Sequence, residues 1–194
     1  MRGPAIETPP QLQMVWPAGR PAPSPPSGLP EGYALRLFRA GEEQQHARLM
    51  VRAGFAEWSA DRLPDVLRRV LPGGFFVIEH LPSGILVATA MATHNPSDLH
   101  PRGGELGWVA SDPAHRHRGL GLAVCTAATL CFLRCGYQDI YLRTDDWRLP
   151  AIKLYLKLGF APLLFATGME ERWRNVYAKL GVEWNPTSEA RTNQ

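Results

Sequence analysis

The residues best placed to do chemistry run Asp112-Pro-Ala-His-Arg116-His117-Arg118-Gly119-Leu120-Gly121-Leu122, between a strand pattern and a long apolar helix pattern. Two glycines at a strand-to-helix turn let backbone approach a ligand closely. The first N–H groups of the helix then face outward at the positive end of its dipole. Arg116, His117 and Arg118 add donors and charge beside them, so the segment suits a pyrophosphate or a similar anion. By spacing alone it is equally a basic loop that needs two turn glycines. A Walker A loop would end in Gly-Lys-Ser/Thr, which is absent, and a dinucleotide fingerprint would need a third glycine near Val124.

A second stretch, Pro150-Ala151-Ile-Lys-Leu154-Tyr155-Leu-Lys-Leu158-Gly159-Phe160, places a phenol on a short helix that Gly159 stops. Tyr155 can act as a proton donor. The same spacing of Ala151, Leu154, Tyr155 and Leu158 also describes an ordinary buried face. Glu105, opening a strand, can accept a proton or simply face solvent. Asp145 and Asp146 read as acceptors or as helix caps.

The elements that would position these groups follow from the patterning. Strands are expected at Tyr33–Arg39, Phe75–Glu79, Ile85–Thr93, Glu105–Ala110, Ile140–Arg143 and Phe160–Phe165. Helices are expected at Glu42–Phe55, Asp61–Leu71, Leu120–Cys135, Leu149–Leu158 and Glu170–Leu180. The second and third strands form a hairpin through Leu81-Pro82-Ser83-Gly84. This order is a mixed α/β (α+β) arrangement: a mostly antiparallel central sheet flanked by helices, in one domain spanning 31–183.

Of 18 prolines among 194 residues, nine precede Glu31, so residues 1–30 are expected to be a disordered or extended tail. Met14, Val15 and Trp16 are its one apolar cluster, able to dock on the domain. Residues 184–194 read as a polar C-terminal tail. Hydrophobic residues make up 45% of the chain and the net charge is +3, a mild balance that points to neither nucleic acid nor membrane as a partner. No apolar leader follows Met1, and Leu120–Leu133 is too short to span a bilayer, so a cytoplasmic location is expected. Three cysteines build no disulfide framework and read as core fillers. His94, His100, His115 and His117 lack metal-ligand spacing, so no metal is expected.

Together the two motifs resemble the GNAT N-acetyltransferase superfamily. Arg116-His-Arg-Gly119-Leu-Gly121 is similar to its coenzyme A loop, Arg/Gln-x-x-Gly-x-Gly/Ala. The block around Tyr155 is similar to its A-x-x-L-Y-x-x-x-G-F segment. The likeness runs from Tyr33 to Phe165, about two-thirds of the chain. It implies that the fourth and fifth strands splay and that the pantetheine arm of acetyl-CoA enters the gap. There the backbone near Trp108, Val109, Ala110 and Ser111 would bond the arm and hold the thioester oxygen. The loop from Arg116 through His117, Arg118, Gly119, Leu120, Gly121 and Leu122 would hold the pyrophosphate. Tyr155 would protonate the leaving thiolate, and Glu105 would be the base. The implied reaction is direct attack by the amine of a small molecule or peptide, in a ternary complex, by a monomer or homodimer. No Ser or Cys elbow suggests a covalent intermediate. A non-catalytic coenzyme A sensor on the same fold is the alternative.

Two departures stand out. Arg148 occupies the position, seven before the tyrosine, where many relatives carry an asparagine that contacts the cofactor arm. The family's usual last strand has no counterpart, because residues 169–180 read as helix.

Overall fold

The computed structural model describes residues 9–26 and 28–185. The expectations for residues 1–8, Ser27 and 186–194 fall outside them. Among the described residues seven strands form one sheet: β1 (Leu12–Val15), β2 (Tyr33–Leu37), β3 (Val70–His80), β4 (Ile85–His94), β5 (Gly104–Ser111), β6 (Ile140–Thr144) and β7 (Ala161–Leu163). Five helices accompany them: α1 (Glu43–Arg52), α2 (Leu63–Leu67), α3 (Leu120–Arg134), α4 (Leu149–Leu158) and α5 (Met169–Leu180). The sheet order is β2-β3-β4-β5-β6-β1-β7, antiparallel throughout except for β5 and β6. The mixed, mostly antiparallel sheet flanked by helices is therefore as expected.

Two cores cover the two faces. Leu12, Ile78, Val124, Phe132, Ile152 and Trp173 belong to one, packed with α3, α4 and α5. Leu49, Met50, Trp58, Leu63, Phe75 and Met91 belong to the other, under α1 and α2. β4 lies between them and is buried along all but its end residues, which is why its sequence is a near-continuous apolar and small-residue run. The apolar helix α3 buries most of its circumference. Its Thr126 and Thr129 hydroxyls donate to the Leu122 and Cys125 carbonyls at 2.7 and 2.9 Å, so burial leaves neither unpaired.

The N-terminal segment departs from expectation. Rather than a tail, Leu12–Val15 forms a strand paired antiparallel with β6 (Leu12 opposite Thr144) and with β7 (Met14 opposite Pro162). Leu12 and Met14 are fully buried, and Trp16 packs edge-on against Phe160 with ring centroids 5.4 Å apart. Trp16 N–H donates to the Ile140 carbonyl at 2.8 Å. The strand occupies the slot for which the described residues offer no C-terminal candidate, since α5 is helical as read. Pro162 lies in β7, the edge strand, where a residue without an N–H is tolerated.

Smaller corrections have local causes. The helix expected over Asp61–Leu71 shrinks to a 3₁₀ turn at Ala60–Arg62 followed by α2, because Val70 already pairs with Thr93 in the sheet. Ser59 and Arg62 stand at the two N-cap positions, and neither makes a side-chain cap bond. Cys125 and Cys131 are buried fillers, whereas Cys135, at the end of α3, is exposed. No helix among the described residues is long and apolar enough to cross a membrane.

Candidate active site

The expected fourth and fifth strands are β5 and β6. They pair in parallel only at Gly104–Ile140 and Glu105–Tyr141, at their first residues, and diverge beyond. Just past the paired residues β5 carries a bulge. Thr89 and Met91 of β4 face Ala110 and Gly107, so β5 has one residue more than its partner in this interval. Trp108 takes a φ of +53°, a left-handed conformation that is strained for a large side chain. Trp108 and Val109 consequently both line a cleft of about 590 Å³ that the splayed strands open. Ala110 returns to the buried face, and Ser111 ends the strand half-buried beside α3.

Glu105, Arg148 and Tyr155 line the same cleft, with Phe55, Asn95, Arg143 and Asp145. Tyr155 is 5% exposed, on the face of α4 that meets the sheet. Burial pushes its phenol well above the usual value; the neighbouring Cys125 thiol adds to this and Arg148 partly offsets it. The phenol therefore keeps its proton throughout the neutral range.

Glu105 is held from two sides. Arg143 Nε and one Nη donate to its two oxygens at 2.8 and 2.9 Å, and the Asn95 amide donates to the second oxygen. The Tyr141 hydroxyl donates to the main-chain carbonyl of Asn95 at 2.8 Å and accepts from the same side-chain amide at 3.2 Å, which steadies it. The Arg143 guanidinium holds its proton more tightly than usual, chiefly through the Glu105 bond.

Arg148 lies just before α4. Its guanidinium donates to Asp145 at 3.1 Å and lies over the Phe55 and Trp147 rings at 4.8 and 4.6 Å. Trp58 does not line this cleft; it closes the core beneath, with its ring centroid 4.3 Å from that of Trp108.

The glycine loop follows β5. Asp112, 4% exposed, ties it down by accepting from Ala114 N–H at 2.9 Å and Arg52 Nε at 2.6 Å. Burial alone would raise the Asp112 carboxyl, but those two donors outweigh it and the net shift is downward. His115 packs against His80 and its Nδ1 meets the Tyr33 hydroxyl at 2.9 Å. Arg116, His117, Arg118 and Gly119 are exposed, and Leu120 is buried as the first residue of α3. Gly119 caps α3 at φ +76°. At Gly121 a Cβ would stand 2.9 Å from a Leu154 methyl and 3.3 Å from the Ser111 hydroxyl. Glycine there lets α3, α4 and the end of β5 meet around one open helix terminus, half-buried Leu122 following one residue on.

Three of the four clustered histidines are partnered separately, His94 with Tyr137, His100 with Asp139 and Gln13, and His115 with Tyr33, while His117 is exposed on the glycine loop. Among the described residues no three His, Cys, Asp or Glu side chains are placed to hold a metal ion.

Sequence reasoning did not find Asn95, Arg143 or Gln11 as cleft residues. Asn95 sits in a polar loop without a motif. Gln11 was detectable only as the start of the alternation Gln11-Leu12-Gln13-Met14 between Pro10 and Pro17.

The family model described as "Acetyltransferase (GNAT) family" matches residues 34–160, and the chain belongs to that family. The mycothiol acetyltransferase of Thermobispora bispora is 33% identical over 163 residues, covering 77% of this chain and 54% of that protein. That of Salinispora arenicola is 32% identical over 164 residues, covering 78% and 52%. The chain thus spans about half the length of these curated relatives. A GCN5-related N-acetyltransferase from Sphaerobacter thermophilus superposes with a TM-score of 0.61 at 22% identity, over 79% of this chain and 49% of that one. The ribosomal-protein-S18-alanine N-acetyltransferase of Escherichia coli gives 0.54 at 20%, over 66% and 76%. At these identities the structures speak for the fold alone.

Proposed function

We propose that the protein transfers the acetyl group of acetyl-CoA to a primary amine of a small molecule, by direct attack in a ternary complex. The observation that carries the reading is the gap between β5 and β6, which opens into a cleft lined by Tyr155 and adjoins the glycine loop on the same run of chain. The pantetheine arm would lie along the bulged end of β5, and a backbone N–H of the Trp108–Val109 bulge would hold the thioester oxygen as charge develops. The N–H groups of Gly119, Leu120, Gly121 and Leu122, with Arg116 and Arg118, would cradle the pyrophosphate. Arg148, committed to Asp145 and two aromatic rings, would close the side of the arm rather than replace an asparagine contact.

A lysine-like amine has a pKa of about 10.4, so roughly one molecule in a thousand is neutral near pH 7. Glu105 is the carboxylate we assign to proton removal: three of its roughly four acceptor positions are occupied, leaving one for an incoming N–H. The amine nitrogen then forms its bond to the thioester carbon. The carbon–sulfur bond would break as Tyr155 gives its proton to the thiolate, the phenolate would take back the second proton of the acylated nitrogen, and Glu105 would pass its own proton to solvent, releasing the N-acetyl amide and free coenzyme A. The name borne by the curated relatives, mycothiol acetyltransferase, favours a small-molecule acceptor, and the cleft volume is that of a small-ligand site.

Calorimetric titration with acetyl-CoA tests the cofactor assignment. Gly121→Glu fills the cradle and is expected to abolish binding. Arg116→Glu, an exposed change that leaves the core alone, is expected to weaken it by about tenfold or more, since a charge-assisted phosphate contact contributes roughly 1.5–3 kcal/mol. Failure of the folded wild type to bind acetyl-CoA would overturn the reading.

A further inference from the structure

We infer that Asp145, held by Gln11 of the N-terminal strand, is the seat of the acceptor's ammonium group, which makes Gln11 a positioning residue for the reaction. This rests on the amine-acetylating reading above and goes beyond it, because Gln11 lies outside the 34–160 segment that the family shares.

The register of β1 on β6 sets Leu12 opposite Thr144, so the residues next in line, Gln11 and Asp145, come together as the strands end. Gln11 Nε2 donates to Asp145 Oδ1 at 3.0 Å and Arg148 Nε donates to Oδ2 at 3.1 Å, and all three residues line the cleft with Tyr155. The pair is pinned from behind. Arg172 of α5 donates to the Pro10 carbonyl at 2.8 Å and also grips Asp146 through two of its nitrogens. Asp146 is thereby occupied, and the 145–146 turn is stitched to residues 10–11.

A carboxylate offers about four acceptor positions. Glu105 has three filled and Asp145 two, so Asp145 keeps the greater capacity for the several N–H groups of an ammonium. Asp61 and Asp65 also line the cleft, but both are exposed, and Asp65 pairs with Arg68 at 3.3 Å. The ammonium would be captured at Asp145, lose one proton to Glu105, and attack as the neutral amine.

The test uses the full chain and its Gln11→Leu, Asp145→Asn and double variants. Each is assayed for coenzyme A release with tyramine, spermidine and L-lysine amide at saturating acetyl-CoA. Gln11 is exposed, so its variant should fold and melt as the wild type does. Loss of one orienting hydrogen bond is expected to raise the amine KM about fivefold, with kcat and the acetyl-CoA KM within about twofold. Asp145→Asn should raise the amine KM further, and the double variant should be no worse than Asp145→Asn alone. An unchanged amine KM in Gln11→Leu, or independent multiplying effects, would overturn the inference while leaving the acetyltransferase reading intact. A wild type that binds acetyl-CoA yet turns over none of the amines would overturn the reading itself and this inference with it.

Discussion

If Leu12–Val15 is a sheet strand rather than a tail, then Leu12→Ala must destabilise the whole domain. Leu12 is fully buried and sits in the core beneath α4 and α5. The substitution removes three carbons, about 2.4 kcal/mol at roughly 0.8 kcal/mol per buried methylene. A cavity term brings the expected cost to about 3 kcal/mol, within the range of about 2–5 kcal/mol for buried Leu→Ala changes. For a chain of this length each kcal/mol lowers the melting temperature by about 2–4 °C, so a drop of about 6–12 °C is expected by circular dichroism or calorimetry. Ser24→Ala, at an exposed position in the same proline-rich segment, is the control and should stay within about 0.5 kcal/mol of wild type. A Leu12→Ala melting temperature indistinguishable from that control would refute the packing of β1 and, with it, the register that brings Gln11 to Asp145.

Two further outcomes are expected. Tyr155→Phe should lower kcat by about 10²–10⁴ while acetyl-CoA binding by calorimetry is retained. Full activity would instead make Tyr155 a core aromatic, and retained binding in a wild type without turnover would point to a sensor. His46 is fully buried, boxed by Phe38, Trp58 and Phe75, and both its ring nitrogens lack partners. Burial lowers its pKa from 6.5 to about 4. The unfolded chain therefore binds the extra proton between about pH 6.5 and 4, and stability is lost as pH falls through that window. The loss comes to about 2 kcal/mol between pH 7 and pH 5. Urea midpoints for His46→Leu should lack this component, and an equal pH dependence in the two proteins would refute the assignment.

The site was legible where local chemistry is dense. The loop from Asp112 to Gly121 and the helix carrying Tyr155 each have residue types that few other arrangements require; the loop follows β5 directly, and Tyr155 lines the cleft beside the β5–β6 gap. The fold was legible where periodicity runs long enough, as in α3 and the β3–β4 hairpin. It failed where an element is short or is decided by a distant partner. Leu12–Val15 has four residues between prolines, too few for alternation to outweigh composition, and its partners lie well over a hundred residues away. α2 was read too long because helical spacing through Leu71 cannot reveal that Val70 is claimed by Thr93. The Glu105–Arg143–Asn95 network was invisible for the same reason: its members stand on β5, β6 and the loop after β4.

The placement of β1 also bears on the proposed acceptor side. A sheet that ended at β6 would leave one side of that strand without backbone partners, and β7, at three residues, is too short to pair stably on its own. The slot between them asks only for an extended segment with two inward apolar residues, and Leu12 and Met14 satisfy it whichever end of the chain they come from. Filling it from the N-terminus frees residues 169–180 to form α5, whose Arg172 then locks Pro10 and Asp146 in place. The same substitution of one strand for another brings Gln11 to the cleft. On the proposed reading, the coenzyme A side would come from the segment matched to the family and the acceptor side would include residues outside it. On that division, exchanging residues 9–16 should alter amine preference while leaving acetyl-CoA affinity unchanged.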